Sequence, residues 1–205
     1  MHLDFQSAIL NVVLLWILTS PHEFAHAWVA TRLGDDTPRL QGRLTLNPLA
    51  HVDWVGTAIL PFLTSLFTGG FLGWGKPVMT NTAKLKGGSN GLALVALAGP
   101  GSNVIMAVIL AIIARLTMPV APGFANFAAN GVELSLYLAI FNLLPVPPLD
   151  GSKLLVAMRV PMVVYQEIAR FGFMALVILV SFYGLGNWMA RMSDAGAGAI
   201  FRVIG

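Results

Sequence analysis

The 205-residue chain is 57% hydrophobic and only 10% charged, with a mean hydropathy of +0.78, which is the composition of an integral membrane protein. It has no cysteine, so disulfides and thiolate metal sites are excluded, and any metal must be bound by histidine, aspartate or glutamate. The net charge of +3 gives no indication of nucleic-acid binding, because the basic residues are spread through predicted loops as membrane anchors are.

The N-terminal segment predicts one long membrane-spanning helix. Its apolar residues run from Phe5 to about Leu33, and Gly34-Asp35-Asp36 ends it. No lysine or arginine precedes residue 32, and a metal-binding motif lies where a signal peptide would be cleaved. We therefore expect this helix to be retained as a transmembrane segment.

An H-E-x-x-H motif lies in this helix, from His22 to His26, directly after its most apolar stretch. Residues four apart share one face of a helix, so both imidazoles can bind one metal ion, and zinc is the usual metal at such a pair. Glu23 lies beside the first ligand and can act as a base towards an activated water molecule. A chance match, with two histidines packed in a polar seam, is disfavoured because ionisable groups at membrane depth are costly and mark function.

The region after the first helix predicts irregular structure. Residues 39–47 alternate polar and apolar side chains and predict a short β-hairpin or strand pair, while residues 75–81 predict a short extended segment. Residues 54–74 are apolar but broken by proline and glycine, which suits either a span or a re-entrant hairpin. His51 and Asp53 either support a site or anchor the loop at the membrane interface, and we favour anchoring.

The remainder of the chain predicts further membrane helices. Residues 91–116 predict a span that is interrupted at residues 99–103, and residues 127–144 predict another. A last long helix is expected from Pro161 to about Arg191. The Gly/Ala-rich tail after it is expected to lie on the membrane or to be disordered.

The fold class expected is an all-α polytopic membrane protein, a bundle of four to six transmembrane helices with a re-entrant segment and short membrane-associated β-strands. Residues 1–205 are expected to form a single domain. The basic residues gather at 32–53, 73–89 and 150–170, and the positive-inside rule places these groups in the cytoplasm. That arrangement requires residues 54–74 to form a re-entrant hairpin, which enters the membrane and leaves it on the same side. It gives four full spans, both termini outside and the metal in the cytoplasmic half.

Two histidines leave a catalytic zinc site one protein ligand short. Among the acids of the chain, Glu133 and Asp150 have membrane-embedded surroundings. Three prolines within residues 145–148 forbid a regular helix before Asp150, and irregular backbone at this depth is tolerated where it lines a wet cavity. Asp150 can also be an N-cap of the short helix that follows, which would not exclude metal binding. Since Glu133 lies early in its span, towards the opposite face, Asp150 is the preferred third ligand.

Three elements together resemble the site-2 protease family of intramembrane zinc metalloproteases. The family's first metal motif is matched by residues 22–26, its G-P-x-x-N element by residues 99–103, and its N-x-x-P-x-P-x-L-D-G motif by residues 142–151. These matches cover residues 22–151 in the family's order. No PDZ-sized insertion separates the motifs and no nucleotide-binding repeat follows them, so the chain resembles a minimal member.

The resemblance implies one zinc ion per chain with three protein ligands, a general base, and an asparagine that stabilises the tetrahedral intermediate. The implied zinc ligands are His22, His26 and Asp150; the implied base is Glu23; the implied asparagine is Asn142 or Asn103.

The function expected is hydrolysis of a peptide bond within or near a transmembrane segment of a membrane protein substrate. A helical substrate must unwind to expose its amides, and an exposed strand can hold it extended by β-addition. The candidate substrate-binding residues are Gly75, Lys76, Pro77, Val78 and Met79, with a plain edge strand as an equal alternative.

The expected partners are a transmembrane substrate and the lipid bilayer of a prokaryotic cell membrane, with no prediction of oligomeric state. A competing function is that of a metal-binding membrane transporter or a non-catalytic membrane binding protein. It is disfavoured because a metal carrier has no need of Glu23, and no paired inverted halves are visible in the sequence.

Overall fold

The computed structural model describes residues 5–68 and 73–205, apart from the side chains of Thr68, Phe173 and Ser181. Across these residues the chain is mostly helical and contains no β-strand. Its α-helices are α1 (Phe5–Arg32), α2 (Thr37–Leu40), α3 (Leu60–Thr68), α4 (Ser89–Thr117), α5 (Pro122–Asn142), α6 (Gly151–Ala157), α7 (Met162–Phe182) and α8 (Leu185–Ile204). A π-helical turn at Trp54–Ile59 leads into α3, and 3-10 turns lie at Pro48–Ala50 and Thr82–Lys84.

Helices α1, α4 and α5 form the centre of the molecule. Their buried residues, which include Leu18, Ala107, Ala111 and Val132, make one apolar cluster in which small side chains let the helices approach closely. Within the described ranges, these three helices are long and apolar enough to cross a membrane, and α7 adds a fourth span when its two bent halves are counted together. The chain is therefore a multi-pass membrane protein, at or below the lower end of the expected four to six spans.

The first helix ends where the sequence predicts, because α1 stops at Arg32 and Gly34 adopts a left-handed φ of 101°. Two other helix predictions are wrong. Helix α4 continues without interruption through Pro100, which a membrane helix tolerates when its neighbours satisfy the freed backbone groups. The last long helix breaks at Gly184 (φ 76°).

The C-terminal tail is helical, since α8 continues to Ile204. One face of α8 is buried at Met189, Ser193 and Ala197, and Ala197 belongs to the central cluster. Tertiary burial therefore outweighs the low helix propensity of the glycines in this segment.

The predicted β-strands are wrong. Pro38 lies in the first turn of α2 and Gly42 turns the chain at φ 67°, so residues 39–47 have no facing strand. The buried Arg43 side chain instead donates to the carbonyl oxygen of Ala50. Residues 73–81 are extended as expected, but no strand pairs with them in the described part of the chain.

The re-entrant hairpin expected over residues 54–74 is not supported. Residues 54–68 are continuously helical and pack against α1, and residues 69–72, with the predicted glycine break, lie outside the described residues. The chain reappears at residue 73 beside the start of this helix, because the amide of Trp74 donates to the carbonyl oxygen of Gly56 at 2.8 Å. This return brings residues 73–81 alongside α1. Several of them line the cavity of the candidate active site described below, so this stretch is named the active-site segment.

Candidate active site

The two histidines of α1 and Asp150 meet at one buried point. Oδ2 of Asp150 lies 3.1 Å from Nε2 of His22 and 2.9 Å from Nε2 of His26, and the two Nε2 atoms are 3.1 Å apart. All three residues are at most 7% exposed. They form the one cluster of three potential metal ligands among the described residues.

This cluster fits a zinc ion. An ion bonded to three atoms at about 2 Å requires those atoms to lie within about 4 Å of one another, as they do. Nδ1 of His26 donates to the carbonyl oxygen of Val95 at 2.6 Å, which leaves the Nε2 lone pair directed at the cluster. A methyl group at Gly99 would overlap Nε2 of both histidines, so glycine keeps the space beside the ligand atoms open. Three protein ligands with adjacent free space are the pattern of a catalytic zinc site.

An irregular loop between α5 and α6 delivers Asp150. Tight turns shape this loop, with the amide of Val146 donating to Leu144 and the amide of Leu149 donating to Val146. A side chain at Gly151 would overlap the carbonyl oxygen of Leu143, so this residue lets the loop fold back on itself. Asp150 occupies the N-cap position of α6, yet its carboxylate makes no capping hydrogen bond and is directed to the histidines.

Lys153 is a site residue that the sequence analysis missed. Its Nζ donates to Oδ1 of Asp150 at 2.8 Å, while Oδ2 of the same carboxylate faces the histidines. The lysine thereby fixes which oxygen of Asp150 is available as a ligand. Its position three residues after Asp150, on the same side of a short helix, was the signal that could have identified it.

Glu23 is buried and lies in the wall of the same cavity as the cluster of two histidines and Asp150. Its Oε2 accepts a hydrogen bond from the backbone amide of Val78 at 3.0 Å. Its Oε1 faces Gly75, where a Cβ atom would lie 3.4 Å away. The carboxylate is therefore held by one oxygen and directed towards the active-site segment by the other.

Backbone contacts fix the active-site segment at both ends. Near its start, the carbonyl oxygen of Trp74 accepts from Oγ1 of Thr57, and the amide of Lys76 donates to the carbonyl oxygen of His51, both at 2.9 Å. At its end, the amide of Asn81 donates to Oδ2 of the fully buried Asp35 at 2.5 Å. The loop after α1 therefore holds the segment that faces Glu23.

Asp35 has an electrostatic signature of this anchoring role. Burial alone would raise the pKa of Asp35, but hydrogen bonds from Thr37 and Asn81 outweigh burial and hold that pKa below its usual value. The carboxylate is therefore stabilised in its charged form by the residues that it ties together.

The two candidate asparagines differ in their surroundings. Asn103 is 1% exposed and lines the cavity, and neither its Nδ2 nor its Oδ1 has a hydrogen-bond partner within the described residues. Asn142 also lines the cavity, but its Nδ2 donates to the carbonyl oxygen of Leu138 in its own helix. Asn103 is therefore the one with a free buried amide.

The remaining sequence candidates lie outside the cluster. Nε2 of His51 donates to the carbonyl oxygen of Thr45, and Asp53 accepts from the amides that begin the π-helical turn, which agrees with the anchoring role favoured for both. Glu133 is exposed on α5. The cavity itself has a volume of about 160 Å³, and its walls come from α1, α4, α5, the Asp150 loop and the active-site segment.

Comparison with the sequences of known proteins assigns the chain to a family. A model described as peptidase family M50 matches residues 10–121. A Bacillus subtilis protein named "Putative zinc metalloprotease YwhC" is 35% identical over 94% of this chain and 89% of its own length. A Mycolicibacterium smegmatis protein named "Putative zinc metalloprotease Rip2" is 31% identical over 93% of this chain and 74% of its own length. No solved structure matches the chain.

The family match covers more than half of the chain, and each of the two relatives is similar over more than 90% of it. The buried cluster of two imidazoles and one carboxylate supplies the ligand set that a zinc enzyme requires. The chain therefore belongs to peptidase family M50, the site-2 protease family, and is a zinc metalloprotease.

Proposed function

We propose that this protein hydrolyses a peptide bond within or near a transmembrane segment of a membrane protein substrate. The observation that carries the proposal is the position of His22 and His26, two of the three clustered residues, on a helix apolar enough to cross a membrane. His26 lies six residues before the end of α1, which is about 9 Å at the helical rise. The site is thus below the membrane surface, where a substrate in the bilayer can reach it.

We propose His22, His26 and Asp150 as the zinc ligands. When bound, zinc supplies Lewis acidity, which polarises a carbonyl group and acidifies a water molecule. Glu23 takes the proton from the attacking water and passes it to the nitrogen of the leaving amine as the peptide bond breaks. The hydrogen bond from Val78 orients the Glu23 carboxylate and leaves Oε1 free to accept that proton.

We propose Asn103 as the donor that stabilises negative charge on the carbonyl oxygen during hydrolysis. Its buried and unpartnered amide supports this role, because an unsatisfied donor in a cavity has hydrogen-bonding capacity available for a substrate. Asn142 is the weaker candidate since its amide already has a partner in α5.

The active-site segment, through Gly75, Lys76, Pro77, Val78 and Met79, is proposed to bind the substrate backbone. In an extended chain alternate residues face opposite sides, and the amides of Trp74, Lys76 and Val78 all donate towards the protein. The backbone groups of Gly75 and Met79 make no hydrogen bond with another described residue. That free edge can receive an extended substrate beside Glu23 by β-addition.

The proposed orientation places the site towards the cytoplasm. Lys76, Lys84, Lys86 and Lys153 lie on the active-site segment, in the turn after it and beside Asp150, and basic loops favour the cytoplasmic side. The bacterial relatives favour a bacterial cell membrane as the location.

Reconstituted protein tests the proposed reaction. We expect the zinc-loaded protein in lipid nanodiscs to cleave a transmembrane peptide that contains helix-destabilising residues, and to leave a water-soluble peptide of the same cleavage sequence largely intact. Chelation should stop cleavage and added zinc should restore it. Zinc transport into sealed vesicles without cleavage of any transmembrane peptide would overturn the proposal in favour of a transporter.

Site-specific photo-cross-linking tests the substrate edge. A photoreactive amino acid at Met79, which is 63% exposed, should capture a transmembrane substrate in a Glu23→Gln background. The same probe at Leu40, which is 81% exposed and outside the active-site segment, should not. Equal capture at both positions would contradict β-addition at this edge.

A further inference from the structure

A charged side chain lies halfway along a membrane-spanning helix and does not line the cavity of the candidate active site. Glu133 is the twelfth of the 21 residues of α5, and its side chain is exposed on the protein surface. Asn130 and Asn126 are exposed one and two turns before it, respectively, so the three residues form a polar stripe on one helix face. An ionisable group at membrane depth is costly when it faces lipid.

Helix α8 carries a matching stripe next to α5. Ala197 packs in the central cluster, and Arg115 at the end of α4 donates to the carbonyl oxygen of Gly205, so α8 runs along the pair formed by α4 and α5. Asn187, Arg191 and Asp194 are exposed on α8 at spacings of four and three residues, which is one helix face. We call the two stripes together the α5–α8 polar face.

The charged groups of this face form no ion pair within the described part of the chain. The carboxylates of Glu133 and Asp194 are close enough to repel each other. Among the described residues, neither acid has a lysine, arginine or histidine nitrogen within 4.0 Å, and Arg191 has no carboxylate within that distance. Acids and a guanidinium at this depth would each be stabilised by an opposite charge supplied from outside the chain.

The same surface is open to close helix packing. Gly198 lies one turn after Asp194, and a Cβ atom built on it would meet nothing within 4 Å. Ala195 and Ala199 are exposed beside it. Small residues of this kind let the backbones of two membrane helices approach closely.

We propose that the α5–α8 polar face binds a second copy of this chain. A two-fold axis along the membrane normal keeps each residue at its own depth, and it brings the same patch of both copies together. Arg191 and Asp194 are three residues apart, which is about 4.5 Å in depth, so the arginine of one copy can reach the acids of the other. Each patch presents one cation and two anions, so Arg191 of either copy can pair with an acid of the other copy.

Cysteine cross-linking tests the proposal directly, because the chain has no native cysteine. In membranes, Gly198→Cys should give a dimer-sized product with a short bis-maleimide, which adds one cysteine thiol at each end. The matched control is Ile105→Cys, on α4 near the middle of its length and 62% exposed, which should remain monomeric. Equal cross-linking at both positions, or capture of a different protein by Gly198→Cys, would overturn the second-copy assignment.

Charge reversal tests the proposed pairing of Arg191 in one copy with the acids of the other. Asp194→Arg, combined with Gly198→Cys, should reduce the cross-linked fraction several-fold because arginines would then face each other across the axis. The double reversal Arg191→Asp/Asp194→Arg should restore cross-linking, since it exchanges the two charges within an otherwise unchanged face. Zinc content identifies variants that still fold. Failure of the double reversal to recover cross-linking in folded protein would contradict the proposed charge pairing.

Discussion

Asp150 and Glu133 are both carboxylates in the membrane part of the molecule, but their surroundings are opposite. Asp150 is 7% exposed and lies within hydrogen-bonding distance of two imidazoles and a lysine. Glu133 is exposed, and the charge that acts on it is another carboxylate, that of Asp194. A carboxylate whose partners all come from its own chain indicates a preassembled site. A carboxylate without such partners indicates a surface that binds a group of opposite charge from outside the chain.

The comparison predicts the largest effect for changes at the preassembled site. His22→Ala and Asp150→Ala should each lose bound zinc and reduce peptide cleavage to the level of the chelated protein, because two ligands do not hold a catalytic zinc ion. Glu133→Gln should keep one zinc per chain. Metal analysis of the purified variants, alongside the cleavage assay, measures both outcomes. Full zinc occupancy in a His22→Ala/His26→Ala protein would show that the ligands are misassigned.

The next effect concerns the unpartnered amide in the cavity. Asn103→Ala should reduce turnover by about 10²–10³-fold with little change in zinc content, as the loss of one oxyanion donor typically does. Asn142→Ala should have a much smaller effect, because its amide is engaged within α5. Steady-state cleavage rates distinguish the two asparagines, and equal losses for both would contradict the preference for Asn103.

The lysine beside Asp150 is expected to support zinc binding at the proposed ligands. Lys153→Met should weaken zinc binding by about 10–100-fold, because residues that orient a metal ligand typically contribute that much affinity. Lys153→Arg should restore most of it by donating to the same oxygen. Zinc competition with a fluorescent chelator measures the affinity independently of catalysis. Unchanged zinc affinity in Lys153→Met would show that the lysine contacts Asp150 without supporting zinc binding.

The smallest effect concerns stability. Asp35→Asn should lower the free energy of unfolding at neutral pH by about 1–3 kcal/mol, because the carboxylate accepts hydrogen bonds that a buried amide cannot fully replace. The pKa of Asp35 is lowered in the folded protein, so its contribution is present above the unfolded value of about 3.9 and is lost as the pH falls through the lower folded value.

The neighbouring residue supplies the control for this prediction. The side chain of Asp36 is 59% exposed, and it lies 3.9 Å from the exposed Arg39. Asp36→Asn should therefore change stability little at any pH. Thermal inactivation of the detergent-solubilised proteins, measured across the acidic range, compares the two. A larger loss for Asp36→Asn would contradict the role of Asp35 as the anchor of the active-site segment.

The sequence predicted the features that depend on local chemistry. The end of α1 follows from Gly34, and the irregular loop before Asp150 follows from three prolines that no helix accommodates. His22 and His26 share a helix face by spacing alone. The structure brings Asp150 to them, 124 residues beyond His26, as the argument from membrane depth expected.

The features that depend on distant neighbours were predicted less well. Alternating side chains at residues 39–47 had no facing strand, since Arg43 is bound by the following loop. The helix of the tail depends on burial of Met189 and Ala197 against other helices, which composition does not reveal. Lys153 and the Val78 amide became visible as site groups only when the directions of Asp150 and Glu23 were known.

The most direct measurement of the central claim is zinc content and peptide cleavage in Glu23→Gln beside the unaltered protein. Glu23 lies between the proposed ligands in sequence but is assigned as the proton acceptor. We predict about one zinc per chain in both proteins, with cleavage of a transmembrane peptide lost in the variant alone. Cleavage at an undiminished rate by zinc-loaded Glu23→Gln, or loss of zinc together with activity, would contradict the account.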